Sequence, residues 1–368
     1  MLFRFVHTAD WQLGKPFGGF RAETIHGLQQ ARLGAISRIT AVAREHGAEH
    51  VAVAGDVWDT DLPSDRTVRQ PLDAMASASG ITWWLLPGNH DPAARGGLWD
   101  RLRGGELPTN VRCLCDAQPQ EASPGVFFLP APLVSRNPGL DPTAAMDAMA
   151  TPEGALRIGI AHGPTSDIGG EGGATIAPDR VELAGLVYLA LGDWHGHKKV
   201  TERCWYAGTP EPDTFPRNEP GYVLLVEARA GQAPRVTPIS TREYLWERTD
   251  LALTAGEDPV ARFDALLSDG HEPSKRLMRL KVTGATGLVE RTRLAAHLDR
   301  QHEERLAHLR WDMDALTTAM DEEALAALDH EGSLRACVDA LLARAKTGTE
   351  HEQIVARRAL ELMTGFAR

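Results

Sequence analysis

Five short apolar runs in this 368-residue chain stop abruptly on Asp, Asn or His. Leu2–Thr8 leads into Asp10-Trp11-Gln12, and Val51–Ala54 into Gly55-Asp56-Val57-Trp58-Asp59. Ile81–Leu86 leads into Pro87-Gly88-Asn89-His90-Asp91, and Arg157–Ala161 into His162-Gly163. Val187–Leu191 leads into Gly192-Asp193-Trp194-His195-Gly196-His197. Short apolar runs bounded by Gly and Pro read as buried strands. Helical stretches lie between them, notably Ala22–Glu45, with Leu28, Ala31, Ala35, Ile39 and Val42 on one stripe, and Thr67–Ala78. The alternation predicts an α/β fold with mixed sheets flanked by helices. In open α/β sheets ligands gather outside the carboxyl ends of the strands, so the five tips predict one shared polar site.

The same pattern continues through further strands at Val111–Leu114 and Val126–Leu129, a helix near Thr143–Ala150 and a hairpin of Tyr222–Val226 with Arg235–Ile239. The α/β pattern ends near residue 245. A smaller α+β unit follows over 246–320: helix Asp258–Leu267, strand Arg276–Val282, helix Val289–Gln301, strand Leu306–Asp312. The segment 321–368 reads as helices Glu322–Leu328, Ser333–Ala345 and Glu350–Phe366. Val338, Leu341 and Leu342 in one, and Ile354, Ala359 and Leu362 in the next, form stripes that need a cover: their own unit, a homodimer or a partner. The glycine-rich stretch Gly163–Pro178 reads as a flexible loop.

The tip residues suit divalent metals. Carboxylate, amide and imidazole donors favour Mn²⁺, Fe²⁺ or Zn²⁺ over a thiolate site. A shared carboxylate between two ions is the arrangement that clamps both oxygens of a phosphoryl displacement. The order of motifs resembles the calcineurin-like metallophosphoesterase superfamily. The opening His7-Thr8-Ala9-Asp10-Trp11 and the later Tyr206-Ala207-Gly208-Thr209-Pro210-Glu211-Pro212, followed by Phe215, resemble its SbcD-like branch of DNA repair nucleases. The resemblance covers about residues 1–245 well and 246–320 loosely.

That resemblance implies a metallophosphoesterase sandwich with a small capping domain and C-terminal helices. It implies two divalent ions, Mn²⁺ foremost, with Mg²⁺ or Fe²⁺ as alternatives. Asp10 and His195 take the first, Asp56 bridges, and Asn89 and His162 take the second. His90 matches the family's catalytic histidine, which protonates the leaving oxygen or stabilises the transition state, and Asp91 would orient its imidazole. A metal-activated water would be the nucleophile. Two positions depart from the pattern. Gln12 and Asp193 stand where the family has histidines, ligands to the first and second ion; both offer oxygen, a harder donor that favours Mn²⁺ or Mg²⁺ over Zn²⁺. A second register pairs His195 with His197. Asp59 reads as a neighbour of the ligands or a turn cap, His197 as a phosphate or solvent contact. Trp11 and Trp194 either stack on bases or wall the site.

Composition sets limits on partners. The chain carries 39 Lys and Arg against 50 Asp and Glu, a net charge of −11, so an anionic substrate needs a local basic patch or metal ions. Residues from Asp250 onward carry 21 acidic and 16 basic side chains. Lys15, Arg21, Lys198, Lys199, Arg203 and Arg217 are one candidate patch, and Arg66, Arg69, Arg95, Arg101 and Arg103 a second. Four cysteines, a start without signal-peptide layout and no apolar run near membrane-spanning length fit a cytoplasmic protein. The leading expectation is a DNA nuclease, exonuclease and single-strand endonuclease, with an SMC-type ATPase partner of the SbcC kind. The alternatives are a small-molecule phosphodiesterase or phosphatase, and a catalytically weak scaffold for DNA ends or an ATPase.

Overall fold

The computed structural model describes residues 2–105, 107–166, 175–177, 179–215, 218–319 and 333–366. The helix expected at Glu322–Leu328, the glycines of the expected loop from Gly169 to Gly173, Arg217 and the side chain of Leu362 lie outside them. The chain divides into two units, Met1–Tyr244 and Leu245–Arg368.

The first unit holds two six-stranded sheets. The first runs β12 (Arg235–Ser240), β11 (Tyr222–Arg229), β1 (Leu2–Thr8), β2 (His50–Val53), β3 (Thr82–Leu85), β4 (Val111–Cys113). The second runs β5 (Gln120–Ser123), β6 (Val126–Ala131), β7 (Leu156–His162), β8 (Tyr188–Gly192), β10 (Cys204–Tyr206), β9 (Lys198–Thr201). β1, β2, β3 and β4 are parallel, as are β6, β7 and β8. β11 and β12 form the expected antiparallel pair.

β1 shows how period-2 side chains build the layers. Phe3 and Phe5 turn to a core shared between the sheets, with Phe128, Ile158 and Tyr188 from the second sheet. Val6 turns the other way, to a core with Ile36 and Ile39 of α1 (Ala22–Glu45), Met75 of α2 (Asp65–Ala76) and Trp99 of α3 (Leu98–Gly104). On the outer face of the second sheet, Met146 of a 3₁₀ helix (Pro142–Ala148) and Val181 of α4 (Arg180–Leu183) pack on Leu189 and Leu191. The result is helix, sheet, sheet, helix. Where a regular helix was expected near Thr143–Ala150, Pro142 opens a 3₁₀ run capped by the Asp141 carboxylate, which accepts from Thr143 N–H at 2.8 Å. α2 starts earlier than expected because Ser64 caps it, its hydroxyl accepting from Thr67 N–H.

The second unit is a four-stranded parallel sheet with β14 (Arg276–Gly287) in its middle. β13 (Leu245–Leu253) lines one edge of β14; β15 (His308–Asp312) and β16 (Leu316–Ala319) follow each other along the other. α5 (Pro259–Leu266) and α6 (Leu288–Arg300) cover one face, where Leu251, Met278, Leu280, Val282 and Leu309 are buried with Phe263, Leu294 and Leu298. α7 (Ser333–Thr347) and α8 (Glu350–Phe366) pack through Val338 and Leu360, with Leu341 and Leu342 against them. Ile354, expected on the α8 stripe, is 61 % exposed, because the buried stripe runs through Ala356 and Leu360 instead. Among the described residues no helix is long and apolar enough to cross a membrane.

Candidate active site

The five expected tips all follow carboxyl ends: β1, β2 and β3 in one sheet, β7 and β8 in the other. The backbone is strained in a shared way at three of them, after β1, β2 and β8. Asp10 (φ 54°), Gln12 (φ 43°), Asp56 (φ 54°) and Asp193 (φ 105°) sit in the left-handed region that side chains avoid. Outliers of this kind cluster where a site holds residues against their preference. Packing is tight here: a Cβ on Gly88 would stand 2.1 Å from Asp56 Oδ1 within the first sheet, and one on Gly192 of the second sheet 2.0 Å from the Ala54 carbonyl oxygen of the first.

Asp10, Asp56 and His162 are buried and bring ligand atoms within 4.8 Å of one another. His162 defines this half of the site. Its Nδ1–H donates to the Ala54 carbonyl at 2.8 Å, so Nε2 is the nitrogen left to face the site. That nitrogen faces only acceptors: Asn89 Oδ1 at 3.0 Å, Asp56 Oδ1 at 3.5 Å and Asp193 Oδ1 at 3.9 Å. A nitrogen ringed by oxygen lone pairs is satisfied by a cation, and this donor set fits a hard divalent metal. Burial opposes protonation of His162, yet Asp56, Asp10 and Asp193 outweigh it and lift its pKa to about 9, so with no metal bound Nε2 takes up a proton at neutral pH, which a divalent ion would displace. Asp10 is pushed up to about 6, by burial first and by Asp56 and Asp193 against the two histidines. Asp10 also accepts the Asp193 N–H at 3.1 and 3.2 Å, tying the β1 and β8 tips together.

The other half is arranged differently. His195 Nδ1–H donates to the Asp213 carboxylate at 3.1–3.2 Å, leaving Nε2 to face the site. Gln12 does not offer its carbonyl oxygen there. Lys15 Nζ donates to Gln12 Oε1 at 2.7 Å, which turns the amide nitrogen to His195 Nε2 at 3.4 Å. Lys15 also pairs with Asp213 at 2.8 Å and stands 3.9 Å from Asp59. Arg32, buried in the middle of α1, donates to the Trp11 carbonyl and to the Glu211 carbonyl at 3.2 Å, and lies 3.6 Å from Asp213. Burial opposes ionisation of Asp213, but the hydrogen bond and charge of His195, then Arg32 and Lys15, overcome it and hold the carboxyl far below its usual range. Asp213 and Arg32 were not among the expected residues. Their signals were an acid directly after the Glu211-Pro212 motif and an arginine inside an apolar stripe.

The remaining candidates divide. His90 is half-exposed; its Nδ1–H donates to the Asp59 carbonyl at 3.0 Å, and Nε2 lies 4.0 Å from Asp56 Oδ2. Asp91 does not hold that ring. Its carboxylate accepts from Gly88 N–H at 2.7 Å and Trp58 N–H at 3.0 Å, because in this tight turn successive side chains diverge. Asp91 therefore fixes the loop and Asp59, through its backbone, fixes the ring. His197 turns away, to the Glu219 carbonyl at 3.2 Å and the Tyr222 ring, whereas Asp193 faces the site. Trp11 is buried edge-on against Trp83 and walls the site; Trp194 is partly buried, with Lys198 over its ring. Lys199 pairs with Glu202 and Arg103 with Asp100 and Asp116.

Comparison with known proteins places this arrangement. Residues 3–176 match the model of the calcineurin-like phosphoesterase family. The SbcD component of the SbcCD nuclease of Rhodobacter capsulatus is 30% identical over 288 residues, 64% of this chain and 69% of that protein. The chain belongs to the calcineurin-like phosphoesterase family. Members of this family are metal-dependent hydrolases. The SbcD component of the Escherichia coli K12 SbcCD nuclease is 34% identical over 93 residues, 25% of this chain and 22% of that one. A dimetal phosphatase from Danio rerio superposes with a TM-score of 0.41 and 12% identity, over 65% of this chain and 99% of that structure.

Proposed function

We propose that this family member is a divalent-metal-dependent phosphodiesterase that cuts DNA, in repair or end processing. The observation that carries the hydrolase reading is His162: a buried imidazole nitrogen at a strand end, faced by oxygens of Asn89, Asp56 and Asp193. DNA as substrate is supported by the similarity to proteins named as components of a nuclease. Asp56, Asn89, His162 and Asp193 would hold one ion, and Asp10, Asp56 and His195 the second, with Mn²⁺ the best match to the oxygen-rich set. When bound, such ions stabilise charge developing on phosphoryl oxygens and make water nucleophilic at neutral pH.

The protein's own groups do the rest. His90, anchored through Nδ1 on the Asp59 carbonyl, presents Nε2 to the site and donates its proton to the leaving oxygen. Gln12 acts as a positioning residue, donating to His195 while Lys15 holds its carbonyl. The first unit is the nuclease domain. Residues 246–320 are a capping-like domain, and α7 and α8 dock a cytoplasmic SMC-type ATPase of the SbcC kind. That the relatives are named as one component of a larger nuclease supports a partner.

Purified protein with Mn²⁺, offered labelled DNA beside nitrophenyl phosphomonoesters and phosphodiesters, tests this reading. DNA breakdown that chelation abolishes and His90→Ala suppresses is the expected result. Fast monoester turnover with intact DNA moves the reading to a small-molecule phosphatase.

A further inference from the structure

The second unit carries a feature that the active site does not use. One face of its sheet is buried under α5 and α6; the other leaves Arg248, Asp250, Arg279, Lys281, Arg310 and Asp312 exposed. The strand register puts these side chains in two rows across the same three strands. In the first row, Arg248 of β13 is paired with Arg279 of β14, which is paired with Arg310 of β15. Two residues further on, Asp250 is paired with Lys281, which is paired with Asp312.

The two rows are opposite in kind. The second alternates in sign. The first sets three guanidiniums side by side, with neighbouring strands about 4.8 Å apart. Like charges directly opposite on adjacent strands destabilise a sheet. The consequence shows at the central member: slight burial, then Arg248 and Arg310, lower the pKa of Arg279. The same face forms a groove of about 740 Å³, which Arg291 and Arg358 also line. Yet from Asp250 onward the chain has more acidic than basic residues. The arginines are therefore gathered in one place against the overall charge.

We propose that the Arg248–Arg279–Arg310 row is a binding surface for the phosphate backbone of DNA. Guanidiniums bind phosphate oxygens through paired N–H donors, and a row of them across parallel strands offers several such forks to one polyanion. Backbone contacts of this kind carry no sequence information but set affinity and its salt dependence. The choice of DNA rests on the substrate reading proposed above; the anion-binding character rests on the row itself.

The test uses the full chain in EDTA, so that binding is read without cleavage. Fluorescence anisotropy of a labelled oligonucleotide is measured over a salt series for the wild type and for the triple variant Arg248→Gln, Arg279→Gln, Arg310→Gln. The expected result is affinity at least ~10-fold weaker and a salt slope shallower by about 2, since each phosphate contact contributes roughly 0.7–0.9 to the slope. Melting temperature should hold, because all three side chains are exposed. Mn²⁺-supported hydrolysis of a nitrophenyl phosphodiester should be unchanged. If the triple variant does not fold, Arg248→Gln and Arg310→Gln singly should each weaken DNA binding with unchanged melting. Unchanged affinity and slope in folded variants overturn the surface while leaving a DNA-cutting enzyme standing. A wild type that hydrolyses the nitrophenyl diester but neither binds nor cuts DNA overturns the substrate reading as well.

Discussion

The two histidines at the ends of the site are treated in opposite ways. His162 is fixed by one backbone carbonyl and then left with its other nitrogen among three acceptors. His195 is fixed by a carboxylate, and its free nitrogen already has a partner in the Gln12 amide, which Lys15 orients. The first half is completed only by a cation. The second is a closed network of protein groups, braced from α1 by Arg32. The difference teaches that replacing a histidine by glutamine at position 12 did more than change a donor atom. With Lys15 three residues on, it converts a ligand position into a hydrogen-bond donor.

Asp56 belongs to both halves, and Asp56→Asn should have the largest effect. Loss of Mn²⁺-supported hydrolysis of about 10³-fold or more is expected, some 4 kcal/mol of transition-state stabilisation, read as kcat/KM on a nitrophenyl diester. Arg32→Met tests the bracing of the closed half. Removing one partner of a buried ion pair costs about 3–5 kcal/mol, so the melting temperature should fall by roughly 6–20 °C, at about 2–4 °C per kcal/mol for a unit of this size. A fall below ~2 °C would mean that Asp213 is held by Lys15 and His195 alone.

The comparison is sharpest in metal affinity. His162→Asn should weaken Mn²⁺ binding by roughly 100-fold and His195→Asn by less than ~10-fold, as followed by the decrease of the free Mn²⁺ electron paramagnetic resonance signal. Equal losses would erase the difference between the halves. Lys15→Met with Gln12→His should open the closed half and tighten its ion by about 10-fold in the same titration.

How much of this was legible in the sequence depends on the range of the contacts involved. β1 and α1 were read to the residue, because a strand buried on both faces and a long helix with one apolar stripe are local patterns. The tip residues were legible for the same reason: each follows its own strand. β13 was not read, although Leu245–Leu253 pairs with β14 over its whole length, because its exposed Arg248 and Asp250 break the apolar signal. α3 was hidden by its short length and its flanking glycines. The roles of Lys15, Arg32 and Asp213 depend on contacts between α1 or the β1 tip and residues nearly two hundred positions later. Spacing along the chain does not encode them. Nor does it show that Asp91 serves the backbone of Gly88 and Trp58 rather than its neighbour's ring.

His7 supplies a contrast with His162. Both are fully buried, but His7 lies between the Tyr188 hydroxyl at 2.9 Å and the Leu191 carbonyl at 3.2 Å, with no carboxylate facing it. Burial lowers its pKa to about 3 despite that carbonyl. Its folded pKa lies below the ordinary value of 6.5, so the stability it contributes is present above pH 6.5 and lost as pH falls towards 3. The loss is about 1.4 kcal/mol per pH unit in that window. Urea unfolding of wild type and His7→Gln at pH 7 and pH 5 should show the smaller pH dependence in the variant.

The central claim is that the His162 half is the one built for a divalent ion. An anomalous difference map from crystals soaked in Mn²⁺ tests it directly. The strongest peak should lie between Asp56, Asn89, His162 and Asp193, with weaker density beside His195 and Gln12 Oε1 still turned to Lys15. A stronger peak beside His195, coordinated by the Gln12 carbonyl, would contradict it.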